Sequence, residues 1–336
     1  MSTRSSRRHR AARLASAVLL ALAGALVAPT TATSVTSPTP PPARPYVTVP
    51  GRPYGIALTS DGSHAYVTAY EEARVTVVDT AARKVVARIP VGLRPVDVAL
   101  TPDGRRAYVS NAGSDDVSVV DTASGTRVAD IRVGEEPRGL AISADGRRAY
   151  VADAFSNSVS VIDTTTGRKT ADIKVGSTPV DVAVSPDGRR VYVTNNGYGT
   201  PASLSVIDTA TDRVVGWPGR IGNFTAGVAV TPDGQRLYVT DQGGTVSVVD
   251  TGTGKVTAGP IPVGLKPTDI VMSADGGRVY VANVQSKTLS VIDTSTDKVV
   301  GTIGVGGFPD RVALTRDGHR AYVTISSSDA VRVLDL

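Results

Sequence analysis

Apolar and polar residues alternate along this chain in short bursts, and the bursts return on a fixed schedule. Pro95-Val96-Asp97-Val98-Ala99-Leu100 reads as a first strand, a. Thr101-Pro102-Asp103-Gly104 is a turn, with Pro presetting φ and Gly taking a positive φ. Arg106-Ala107-Tyr108-Val109-Ser110 is strand b, and Val117-Ser118-Val119-Val120-Asp121 is strand c. Residues 127–134 form strand d after a second turn at Thr122-Ala123-Ser124-Gly125. All four are rich in Val, Ile and Thr and bounded by turn residues, which predicts one small antiparallel sheet.

The same phrase occurs seven times. Asp-Gly, three intervening residues and Tyr-Val recur with Tyr at 66, 108, 150, 192, 238, 280 and 322. The steps are 42 residues except for one of 46, between the fourth and fifth copies. A period near forty with strand patterning predicts an all-β, seven-bladed β-propeller of four-stranded antiparallel blades. A lone four-stranded sheet needs cover on both faces, and stacking around an axis supplies it. The chain ends at Val331-Arg332-Val333-Leu334-Asp335-Leu336, which aligns with strand c. Tyr46-Val47-Thr48-Val49-Pro50 aligns with strand d. The N-terminal strand is therefore expected to complete the last blade and close the ring.

The phrase Tyr192-Val193-Thr194-Asn195, varied as Tyr108-Val109-Ser110-Asn111 and Tyr280-Val281-Ala282-Asn283, resembles the YVTN-repeat propellers of surface-layer and exported bacterial proteins. The resemblance spans 46–336. It implies a seven-bladed propeller and no single activity. Lactonase-like enzymes, haem-containing reductase domains and plain binding proteins share related propellers, so function has to be argued from the site.

Ahead of the repeats lie two different segments. Arg4, Arg7, Arg8, Arg10 and Arg13 precede an apolar run at 14–27, which reads as an export signal over 1–32. Residues 33–45 are rich in Pro, Thr and Ser and read as an extended linker. The repeats then occupy 46–336. A secreted or cell-envelope location follows, with no transmembrane anchor once the signal is removed. The full chain carries 36 Lys and Arg against 31 Asp and Glu. Without the five leader arginines the balance is neutral, so general nucleic-acid binding, which needs a surplus of positive charge, is not expected.

Candidate chemistry is sparse. There is no Cys and only three His, at 9, 64 and 319. His64 and His319 sit at the Asp-Gly turns, so no Ser-His-Asp triad can be drawn. Haem or copper ligation lacks its residues. Asp after strand c (Asp79, Asp121, Asp163, Asp208, Asp250, Asp293) is followed by Thr each time and reads as a turn cap. The repeat tyrosines read as packing between blades. The Arg-rich a–b and c–d turns read as a solvated rim, with an anionic partner as the alternative.

Function is expected where the copies differ. The d–a and b–c loops share one face and carry Tyr54, Tyr70, Phe155, Tyr198, Phe224 and Phe308. Exposed aromatics on variable loops suit a binding surface. The longest b–c loop, 195–203, holds Tyr198, and the same copy has Trp217, the chain's one Trp. The third residue of strand a reads Gly55, Asp97, Gly139, Asp181, Gly227, Asp269 and Arg311 around the ring, with Asp310 beside the last. These carboxylates face either a ligand or the free N–H groups of strand starts. Asp97, Asp181 and Asp269 are also candidate ligands for a hard cation such as Ca²⁺, although no cofactor is required.

The leading expectation is a monomeric, non-catalytic binder of a small molecule, protein or cell-envelope polymer. Its site would comprise Asp97, Asp181, Asp269, Asp310 and Arg311 with the six loop aromatics. The alternatives are a metal-assisted, lactonase-like hydrolase or lyase, with Arg311 polarising a carbonyl, and a surface-layer assembly protein.

Overall fold

Seven four-stranded antiparallel sheets follow one another along the chain, six of them built from the a, b, c and d strands of one copy. The computed structural model describes residues 45–216 and 221–336. The export-signal segment 1–32, the linker up to residue 44 and Trp217 lie outside the described residues. Blades 1 to 6 cover 53–90, 95–132, 137–174, 179–214, 225–262 and 267–304. Blade 2 runs Pro95–Leu100, Arg106–Asn111, Asp116–Asp121 and Thr126–Arg132, close to the strands read from its pattern. Blade 7 takes its fourth strand from the other end of the chain. Tyr46–Thr48 pairs antiparallel with Ala330–Asp335, setting Val47 against Val331. Among the described residues no helix is long and apolar enough to cross a membrane.

Burial follows strand position. Strands b and c are covered on both faces; Arg106–Asn111 is buried from its second residue to its last. Strand d keeps few buried residues, such as Ile89, Ile131 and Ile173. The apolar clusters straddle neighbouring blades. Tyr108 of blade 2 packs with Leu140, Val151 and Ile162 of blade 3, and Tyr322 of blade 7 packs with Val47 and Ile56. The repeat tyrosines thus join blades, because a bulky amphipathic ring can fill the wedge between two sheets.

The recurrent polar residues fasten the turns. Each Asp after strand c accepts the N–H three residues ahead; Asp121 Oδ1 to Ser124 N is 2.8 Å and Asp250 Oδ1 to Thr253 N is 2.7 Å. The following Thr donates to the Gly carbonyl of the Asp-Gly turn, as in Thr122 Oγ1 to Gly104 O at 2.6 Å. The third residue of Tyr-Val-Thr ties blades together. Thr68 Oγ1 accepts from Gly55 N at 2.7 Å and donates to Val96 O of the next blade at 3.1 Å. The arginine rim is partly structural as well. Nη1 of Arg148 and of Arg190 donates at 2.8 Å to Thr209 O and Thr251 O of the following blade.

Closure through a three-residue strand makes a sharp prediction. Val47 is 4 % exposed. Val47→Asp should cost at least ~3 kcal/mol, because it buries an unpaired charge in the seam. Thermal unfolding would show this, and a melting curve like the wild type's would mean the ring closes some other way.

Candidate functional site

The inner strands start with a bulge, and the bulge sets the chemistry of the channel. In blade 3, Pro137 pairs with Asp153 and Leu140 with Val151, so two residues are passed over between consecutive partners. The N–H of Leu140 turns toward the axis and is met by Asp97 Oδ2 of blade 2 at 3.2 Å. Asp181 Oδ2 likewise accepts Val228 N at 3.1 Å, and Asp269 Oδ2 accepts Val312 N at 2.8 Å. Each Asp therefore serves the blade after its own. The glycines between them make this fit. A Cβ on Gly139 would lie 2.5 Å from Asp181 Oδ1 and 2.8 Å from Asp181 Cα.

Arg311 stands among the three carboxylates. Its Nη1 is 2.8 Å from Asp269 Oδ1 and 3.5 Å from Asp181 Oδ1, and its Nη2 is 3.8 Å from Asp97 Oδ2. All four side chains are between 7 % and 15 % exposed. Burial pushes Asp181 up to about 7 against the pull of Arg311, with Asp269 and Asp97 adding to the rise. Burial also raises Asp97. Burial alone would lower the pKa of Arg311, but the three carboxylates outweigh it and hold the guanidinium firmly charged. Asp97, Asp181 and Asp269, read from the sequence as candidate ligands for a hard cation, surround a guanidinium in this structure. Among the described residues no cluster of three or more His, Cys, Asp or Glu is placed to hold a metal ion. A guanidinium already supplies the cation, and one oxygen of each Asp is spent on a backbone amide.

Above this floor opens a cavity of about 630 Å³ on the loop face. The second residue of strand a lines it in all seven blades: Tyr54, Val96, Arg138, Val180, Ala226, Thr268 and Asp310. Asp181 and Arg311 reach it from below. Tyr70, Phe155 and Tyr198 add aromatic wall. Phe155 is 64 % exposed and Tyr198 83 %. Tyr54 and Tyr70 lie with ring centroids 6.4 Å apart, and the Arg52 guanidinium sits 5.4 Å from the Tyr70 ring centre. Burial raises the pKa of Tyr54 and that of Asp310. Asp310 Oδ2 is buried with no hydrogen-bond partner in the structure. Arg138 and Glu136 form an ion pair on the rim through Arg138 Nη2 and Glu136 Oε1.

The structure brings together Tyr54, Tyr70, Phe155, Tyr198, Asp181, Asp310 and Arg311 as site residues read from the sequence. Asp97 and Asp269 sit just behind the floor. Phe224 and Phe308 are 50 % and 42 % exposed and do not line the cavity. In their two links the positive φ falls two residues earlier, at Gly222 and Gly306, whereas Arg52, Glu136 and Thr178 carry it themselves. The link therefore turns earlier, and the aromatic ring stays outside the mouth. Arg138, Glu136 and Arg52 were missed from sequence, although Arg138 occupies the same repeat position as Tyr54 and Asp310. His64 lies at the opposite turns, with Nδ1 2.8 Å from Ser63 Oγ.

A family model described as lactonase, 7-bladed beta-propeller, matches residues 45–303. Among solved structures, a chain from Kuenenia stuttgartiensis Hydrazine Synthase is similar at 27 % identity and a TM-score of 0.78. The likeness covers 85 % of this chain and 96 % of that one. Comparison with curated protein sequences gives no match.

The floor gives the second prediction. Arg311→Ala leaves three buried carboxylates without their cation and should cost about 3–5 kcal/mol. Adding Asp97→Asn and Asp269→Asn should recover part of that loss, since an Asn Oδ1 still accepts the amide. If chemical unfolding shows no loss in Arg311→Ala, or no recovery in the triple variant, the cluster does not bear on stability as described.

Proposed function

The chain belongs to the seven-bladed β-propeller lactonase family, and from that premise we propose that it is an exported propeller that binds a small polar molecule at the loop-face mouth of its channel without transforming it. One observation carries the reading: the 630 Å³ cavity gathers four of the six loop aromatics above Asp181 and Arg311, with Asp310 in its wall. Apolar walls with a few convergent polar groups are the usual make-up of a small-molecule site. The longest b–c loop places Tyr198 at its edge, where the ring can cover an occupant.

The state of the side chains favours binding over catalysis. Asp97, Asp181 and Asp269 are each held by a backbone amide and share Arg311. Glu136 is held by Arg138. No His among the described residues lines the mouth. A general base needs a free lone pair within reach of the proton that it takes, and these carboxylates are committed elsewhere. Residues 1–32 and the linker support the export part of the reading.

A second reading, hydrolytic opening of a lactone, is favoured by the family match. There Arg311 would polarise the ring carbonyl and Asp310 would direct a water. Glucono-1,5-lactone serves as a probe of both readings. On the binding reading, calorimetry detects the lactone, and Tyr198→Ala with Phe155→Ala weakens it about tenfold, or ~1.4 kcal/mol. The melting temperature stays unchanged and acid release in a pH-stat stays at the uncatalysed rate. Acid release well above background, lost in Asp310→Asn, would replace the first reading with the second. Binding untouched by the double substitution would move the site away from the mouth.

A further inference from the structure

The face opposite the mouth is made of the a–b and c–d turns, and the arginine that opens strand b ties it across the blades. Arg148, Arg190 and Arg236 each donate from Nη1 to the carbonyl of the Thr that follows strand c in the next blade. The acceptors are Thr209, Thr251 and Thr294, at 2.8, 2.8 and 2.9 Å. Two of the three also meet a carboxylate in that turn, Arg148 with Asp212 and Arg236 with Asp297.

Arg106 holds the same place in blade 2 and makes neither contact among the described residues. The turn that it faces has Gly167 where blade 4 has Asp212. The Thr164 carbonyl of that turn accepts the Tyr108 hydroxyl instead, at 3.4 Å. Arg106 lies beside this hydroxyl and is exposed. A cavity of about 450 Å³ opens here between blades 2 and 3, lined by Arg105, Arg106 and Arg147 with Tyr108 and Thr165.

Asp103 and Asp145 border the cavity too, but one oxygen of each is committed to its own turn. Asp103 Oδ1 accepts Thr101 Oγ1 at 2.6 Å and Arg105 N at 3.0 Å. Asp145 Oδ1 accepts Ser143 Oγ at 2.6 Å and Arg147 N at 3.0 Å. Those bonds hold both carboxyls below the ordinary value. Three arginines therefore stand against two acids. Two similar cavities on this face have the opposite balance. Between blades 1 and 2 the lining has Asp61 and Asp103 and no arginine. Between blades 6 and 7 it has Asp275, Asp293 and Asp317 against Arg278 and Arg316.

We propose that the cavity between blades 2 and 3 binds a phosphate group. Among the described residues none of its three arginines forms an ion pair. Their guanidiniums, coming from two blades, offer more N–H donors than the two oxygens of a carboxylate can take. Free phosphate or a phosphate ester presents its oxygens in several directions, which suits planar forks approaching from different strands. The Thr165 hydroxyl adds a further donor. Blade 4 continues the strip with Arg189, which is exposed and 4.0 Å from its own Asp187. The phosphate is therefore either free or one unit of a chain laid along blades 2 to 4. The mouth lies at the other end of the blades, so this site stands or falls independently of it.

Inorganic phosphate is the probe, titrated into the full chain at about pH 7.5 and constant ionic strength, because general screening would otherwise mimic binding. Amide resonances of residues 103–108 and 145–148 should shift and saturate. Arg106→Gln with Arg147→Gln should weaken the affinity at least tenfold, whereas Arg278→Gln, in the acidic cavity, should leave it unchanged. Acetate should bind at least tenfold more weakly than phosphate. Shifts that never saturate, or saturation that survives the double substitution, would overturn the site. Equal affinity for acetate would overturn its assignment to phosphate. Long-chain polyphosphate distinguishes the two sources. A gain of more than tenfold per phosphate, lost in Arg189→Gln, identifies a polymer, and equal affinity per phosphate identifies the free group.

Discussion

Three residues of backbone pairing hold the ring together. Tyr46–Thr48 lies against Ala330–Asp335, and the side chains repeat the tie: Arg332 Nη1 donates to the Tyr46 hydroxyl at 2.7 Å, with its guanidinium 5.2 Å from the ring centre. No blade can bury both its faces alone, so every interface in the ring presupposes this one. The cavity depends on it most directly. Its lining comes from the same strand position in all seven blades, and such a ring of side chains exists only while the seven are held in a circle.

The floor shows how an odd number is accommodated. Gly and Asp alternate through blades 1 to 6, each Asp serving the amide of the blade beyond and each Gly leaving room for its neighbour. Seven blades cannot complete that alternation. The unmatched place falls at blade 7, beside the closure, and Arg311 fills it. Its charge is what three buried carboxylates need, and its length lets it reach back across the axis to Asp97 and Asp181. The cost of confining these groups stays visible in the raised values of Asp97 and Asp181.

Most of the fold was legible in the sequence because its determinants are local and repeated seven times. Turn caps such as Asp121 act within four residues, and strand alternation is read two residues at a time. The site was legible in part. Tyr54 and Asp310 stood out by residue type, whereas Arg138, in the same column of the repeat, was not singled out. Phe224 and Phe308 were drawn to the mouth by their chemistry and kept from it by a shift of positive φ to Gly222 and Gly306, which composition does not reveal.

A ring of identical blades would offer any occupant seven indistinguishable poses. Arg311 removes that degeneracy, because a single cation among three acids gives the floor a direction that rotation about the axis cannot restore. Whatever settles in the mouth meets a compass rather than a dial, and a molecule with unlike ends has one preferred heading.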